Sequence, residues 1–321
     1  MRALVFNNKL ELKNDYARPI PKENEALVKV KLVGICNTDY EITKGYMGYN
    51  GILGHEFVGV VEEINGEDKS LLGKRVVGEI NLGCKNCDCC AKGLERHCPN
   101  RQTLGIFNKD GCFADYVTLP LSNLLEVDDK ISDETAVFVE PLAAALEILE
   151  QLHIKPYEKV CVLGDGKLGL ITALALNASN IDVTLIGKHQ NKLDIAKEQN
   201  VKTMLLENLT QENNNSFDVV VEATGRVSGF ETSINLVKPR GILVLKSTIA
   251  TGKELNLAPI VIDEITVLGS RCGQFAPALR LMEKNIIDFS KLISSKLSFD
   301  DAVLGFEKNK EKDTIKILLE M

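Results

Sequence analysis

Lys159-Val160-Cys161-Val162-Leu163-Gly164-Asp165-Gly166-Lys167-Leu168-Gly169-Leu170 is the stretch on which the reading of this chain turns. Five residues of buried-strand type run into three glycines spaced GxGxxG, and an apolar helix follows over residues 168–177. Glycines at that spacing permit a tight turn and let a pyrophosphate approach the helix N-terminus. The motif alone is weak. Set directly after a strand and opening a helix, it marks a dinucleotide site formed by Gly164, Gly166, Lys167, Leu168 and Gly169.

Downstream, the pattern repeats. Val183-Thr184-Leu185-Ile186 reads as a strand, residues 191–199 as a helix, and Asp218-Val219-Val220-Val221-Glu222 and Gly241-Ile242-Leu243-Val244-Leu245 as further buried strands. Strands alternating with helices predict an α/β fold with a doubly wound parallel sheet of Rossmann type. Residues 207–216, rich in asparagine, read as an exposed loop, and a short helical and strand tail follows residue 269. Upstream the texture differs. Short β-branched runs at Ala26-Leu27-Val28, Phe57-Val58-Gly59-Val60-Val61 and Arg75-Val76-Val77 predict a small β-rich body. Residues 134–152 carry helical spacing, with Pro141 as the expected break.

The end of the second strand bears on which nucleotide would bind. An acid is expected there, about 20 residues past the motif, to hold a ribose hydroxyl. Instead Gly187-Lys188-His189 ends the strand, with Lys192 one turn later. Glycine leaves room for a 2′-phosphate that Lys188 and Lys192 would neutralise, which favours NADP over NAD. The plain alternative is a solvated basic turn.

Cys84, Cys87, Cys90 and Cys98 lie in a polar stretch where one loop can wrap a tetrahedral zinc ion. Cys89 leaves the register open, and reduced thiols or an iron–sulfur centre are the alternatives. A second set is sparser. Cys36 and His55, with Glu140 further on, offer zinc three protein ligands and leave a corner open for water or substrate. Asp39 would orient His55 through its far nitrogen, and Thr38 would relay a proton from an alcohol on the metal.

Composition narrows the field. The 321 residues are 45% hydrophobic, 26% charged and 5% aromatic, which is an ordinary globular balance for two domains. The net charge of −7 argues against a nucleic-acid or anionic-membrane partner. No apolar run nears the ~20 residues that span a bilayer, and no secretory signal opens the chain. We therefore expect a cytoplasmic protein whose nine cysteines stay reduced.

With these residues assembled, the chain resembles the medium-chain, zinc-dependent alcohol dehydrogenase superfamily over essentially its whole length. The matches are Gly54-His55-Glu56-Phe57-Val58-Gly59, the four-cysteine lobe and the glycine turn, in that order. The polyol, threonine and archaeal glucose dehydrogenase branches look nearest. They imply cysteine, histidine and glutamate at the catalytic metal, with Glu140 at the glutamate position and Glu56 as the competing ligand. The resemblance also implies a GroES-like catalytic domain over residues 1–141, carrying a structural zinc lobe at 84–98 and completed by 270–321. A Rossmann domain over 142–269 would supply cofactor contacts from Thr224, Gly225, Ser247 and Thr248, with Lys316 near the pyrophosphate.

The implied activity is zinc-dependent hydride transfer between a small alcohol or polyol and NADP, in a homo-oligomer of two or four copies. A non-catalytic, nucleotide-binding or redox-sensing protein is the alternative. Two departures stand out. Glu41 replaces a histidine that serves the proton relay in several members, and Asn37 replaces a basic residue. Gly45-Tyr46-Met47-Gly48-Tyr49-Asn50 either lines the substrate pocket or is a turn with two surface tyrosines.

Overall fold

A ten-residue strand, Glu25–Gly34, alternates buried apolar and exposed charged residues until it is fully buried at Leu32-Val33-Gly34. It is the centre of a seven-stranded sheet in a computed structural model that describes residues 1–248 and 254–321. Glu56–Asn65 pairs along one edge of it, Tyr116–Pro120 and Lys316–Glu320 along the other, all antiparallel. Register shifts near Leu27/Val28 and Val30/Leu32 bend the strand, as bulges do. Gly34 ends up opposite both Glu56 and Leu318. The last strand of the chain is thereby brought to the start of the Glu56 strand.

These elements belong to the first of two units, residues 1–140, 275–284 and 289–321. The second comprises residues 141–274 and 285–288. The return to the first unit thus begins at Phe275, not at residue 270, and four residues later in the chain pack with the second unit. The break expected at Pro141 falls earlier. Asp133–Ala136 is a short helix whose N-cap Ser132 accepts from the Thr135 amide, and Val139–Gln151 is a separate helix. Pro141 lies in the first turn of that second helix, where its missing N–H costs nothing.

The second unit is built on six parallel strands. Their order is Lys202–Leu205, Asp182–Gly187, Lys159–Leu163, Phe217–Glu222, Val237–Leu245 and Thr266–Gly269. The strand before the glycine turn is therefore central, where the winding reverses and such sheets bind ligands. Cys161, Leu163, Ile186, Val220 and Leu243 form its core with Phe230 and Ile234. Cys161 is thus a core residue, and burial pushes its thiol far up. Among the described residues, no helix is long and apolar enough to cross a membrane.

Candidate active site and metal centres

The strand Glu25–Gly34 delivers Cys36 to the N-cap of the helix Asn37–Thr43. Asp39, in the first turn, accepts the Cys36 amide on Oδ2 at 2.8 Å, so the loop and the acid fix each other. Its other oxygen, Oδ1, stands 3.2 Å from His55 Nδ1, but off the line of a straight hydrogen bond. Both residues are buried, Asp39 completely. Gly54 makes the turn before His55 possible. Its φ is +94°, and a Cβ there would lie 2.4 Å from the Phe113 ring. The Thr38 hydroxyl sits 3.6 Å from Cys36 Sγ.

Cys36, His55 and Glu56 present donor atoms that all lie within 4.8 Å of one another. Thiolate, imidazole and carboxylate together suit zinc. Burial disfavours a charged His55, yet Asp39 and Cys36 outweigh it and raise the imidazole well above its ordinary value. The thiol, imidazole and carboxylate donor set fits zinc.

Of the two glutamates left open by the sequence, Glu56 has the oxygen within reach of both other ligands. Glu140 is not in that set, and its charge instead acts on Lys316. The resemblance puts Lys316 at the pyrophosphate, but the structure engages it elsewhere. Within the first unit its side chain is 2% exposed and its Nζ donates to Glu56 Oε2. Gly34 makes room for this pair, since a Cβ there would meet Glu56 Oε2 at 2.6 Å. Burial lowers the Lys316 pKa, but Glu56, Cys36 and Glu140 raise it further, so the ammonium stays charged.

Glu41, at the departure from the relay histidine, is ion-paired with Lys44 at 3.0 Å on an exposed helix face. Only one of the two tyrosines is at the surface. Tyr46 is exposed, while Tyr49 is buried, its hydroxyl 3.0 Å from the Lys109 carbonyl oxygen and 3.2 Å from Asp110 Oδ1, either of which can accept its one proton. Met47 to Asn50 line a polar cavity with Phe107 to Asp110.

The four cysteines of the lobe are placed so that they could hold one metal ion. Cys84, Cys87, Cys90 and Cys98 converge, with Cys87 Sγ 3.6 Å from Cys90 Sγ and 3.7 Å from Cys98 Sγ. Sulfurs about 2.3 Å from one tetrahedral ion stand roughly 3.8 Å apart. Cys89 is outside the set. Its carbonyl accepts the amides of Lys92 and Leu94, closing the turn that carries Cys90.

In the second unit, Gly164 takes φ +119° and the helix Lys167–Ala178 starts at an open Gly166. Thr224, Gly225 and Ser247 are drawn together by a residue that sequence reasoning misses. Glu222, fully buried at the end of its strand, accepts the amides of Thr224 and Gly225 at 2.7 and 3.2 Å and both hydroxyls. An acid closing an apolar strand is its only signal.

The second missed residue is Asp165. No carboxylate follows the strand Asp182–Gly187 in sequence, yet one stands there in space. Asp165 Oδ2 accepts the amides of Lys188 and His189 at 2.7 and 2.6 Å and lies 3.0 Å from His189 Nδ1. Lys192, meanwhile, is 7% exposed and engaged within the protein. Both grounds for a preference for NADP, an absent acid and two available lysines, are therefore weakened by the tertiary structure.

Comparison with known proteins agrees with the fold. The family described as Alcohol dehydrogenase GroES-like domain matches residues 22–129, and that described as Zinc-binding dehydrogenase matches 168–284. The chain belongs to the medium-chain, zinc-dependent alcohol dehydrogenase superfamily. It is 28% identical to L-galactonate-5-dehydrogenase of Escherichia coli (strain K12) over 314 residues, 91% of this chain and 89% of that protein. A candidate zinc-binding dehydrogenase of Sinorhizobium meliloti 1021, solved with NADP, superposes with a TM-score of 0.90 at 27% identity, covering 100% of this chain and 99% of that one. The alcohol dehydrogenase rspB of E. coli CFT073, solved with NADH, shares the fold with a TM-score of 0.91 at 24% identity, covering 100% and 99%.

Proposed function

We propose that this chain is a zinc-dependent dehydrogenase moving a hydride between a small alcohol or polyol, or its carbonyl, and a nicotinamide dinucleotide. The observation that carries this reading is the meeting of Cys36, His55 and Glu56 donor atoms within 4.8 Å, beside Thr38 and Asp39. Zinc on that set would act as a Lewis acid, lowering the pKa of a bound alcohol. In this reading the protein's own residues take the following parts. Asp39 orients His55, Thr38 receives the alcohol proton, and Lys316 balances the Glu56 charge. Glu140, nearby in charge but outside the donor set, is the reserve ligand. A second, structural zinc belongs to Cys84, Cys87, Cys90 and Cys98.

A polyhydroxylated substrate rests on the L-galactonate-5-dehydrogenase relative. A cytoplasmic assembly of two or four copies belongs to the same reading. Metal analysis tests it: two zinc ions per chain are expected, and His55→Ala should leave one. That variant should lose turnover and keep NADH binding within about twofold. A single ion in the wild type, confined to the cysteine lobe, would favour the non-catalytic alternative. A screen of polyols, sugar acids, threonine and simple alcohols, followed by cofactor absorbance, would define the substrate.

A further inference from the structure

We infer that Asp165, inside the glycine motif itself, is the acid that reads the adenosine ribose, and that it selects the cofactor without a 2′-phosphate, NAD(H). The inference rests on the nucleotide-binding reading of the second unit and deepens it. In sheets of this type the residue ending the second strand points at the ribose and is acidic when a free hydroxyl is to be bound. Here that residue is Gly187, whose missing side chain is what admits Asp165. A Cβ on Gly187 would lie 2.5 Å from Asp165 Cβ and 2.6 Å from its Cγ. The carboxylate thus takes up the volume that a strand-end acid would fill, but it arrives from the neighbouring turn.

Two consequences follow from its bonds. The Lys188 and His189 amides, which could otherwise cradle a phosphate at this loop, are both given to Asp165 Oδ2. All three contacts made to this loop fall on Oδ2, so Oδ1 is the oxygen suited to accept a ribose hydroxyl. A 2′-phosphate would then meet a fixed negative charge in a site where the residue is 7% exposed, and like charges brought together there repel. Lys188 is exposed at the same loop. It cannot offset this by itself, since the acid is held by the backbone and the lysine is free to turn to water.

Titration of the zinc-loaded full chain with NADH and NADPH, followed by nicotinamide fluorescence and calorimetry, tests this directly. NADH should bind at least about tenfold more tightly. Asp165→Asn keeps the shape and an acceptor oxygen while removing the charge, and should shrink that ratio at least about threefold. Should the variant fail to fold, the wild type decides through fragments: 5′-AMP should compete with NADH, and 2′,5′-ADP should compete at least about tenfold more weakly. Equal or tighter binding of NADPH, or an unchanged ratio in Asp165→Asn, would overturn the assignment of Asp165 alone. Binding of neither nucleotide would overturn the nucleotide-binding reading as well.

Discussion

The three glycines of the turn look equivalent in sequence, and replacing two of them by alanine should separate their roles. Gly169 lies in the first turn of the helix Lys167–Ala178. By helix propensity alone, Gly169→Ala would stabilise by up to about 1 kcal/mol. Its Cβ, however, would sit 1.8 Å from the Gly164 carbonyl oxygen, more than an ångström inside contact and against backbone. Overpacking costs roughly 1–3 kcal/mol, and a backbone obstacle belongs at the upper end. The net is a loss of about 2 kcal/mol, or ~6 °C in the Tm of a unit of this size.

Gly166 is the control. It has φ −74° and ψ 177°, open to any residue, and a Cβ added there would meet no atom within 4 Å. Gly166→Ala should change Tm by less than about 1 °C and instead weaken NADH binding about tenfold or more, because that glycine faces the pyrophosphate path. Calorimetric unfolding and NADH titration of both variants check this. A Gly169→Ala variant as stable as the wild type, or a Gly166→Ala variant that unfolds early, would refute the reasoning.

Other outcomes are expected elsewhere. Cys98→Ser, at a fully buried ligand of the lobe, should lower the zinc content by one ion and open residues 84–98 to protease while leaving NADH affinity intact; metal analysis with limited proteolysis decides. Asp218 accepts from Lys238 Nζ at 2.7 Å and from the Lys159 amide at 2.8 Å. Burial raises this carboxyl, but those bonds outweigh it and hold the pKa below 3.8. A carboxyl depressed on folding stabilises above its unfolded value and loses that contribution as pH falls through the folded one. Urea unfolding should therefore show Asp218→Asn costing up to ~1 kcal/mol at pH 7, the pair being partly exposed, with the cost shrinking as the pH is lowered past the unfolded value. A cost unchanged on acidification would count against the ion pair.

Much of the site was legible because its signals are local. Cys84, Cys87, Cys90 and Cys98 lie within one stretch of fifteen residues, so their spacing alone marks them as a candidate ligand set. Glu56 and Glu140 were not separable in sequence. Distance to Cys36 and His55 is a property of how two strands and a helix start are packed, and no spacing encodes it.

By itself, then, the sequence determined the doubly wound sheet, the glycine turn at its centre and two candidate metal sets, since periodicity and ligand spacing act over a few residues. Tertiary structure alone decided what closes each site. Lys316 reaches Glu56 across 260 residues because the final strand pairs beside Gly34. Asp165 reaches the Lys188 amide across 23 residues because parallel strands bring two loop ends side by side, and a glycine leaves the space. The rule that looks for an acid at the strand end reads along the chain, whereas a ligand meets whichever carboxylate occupies that point in space.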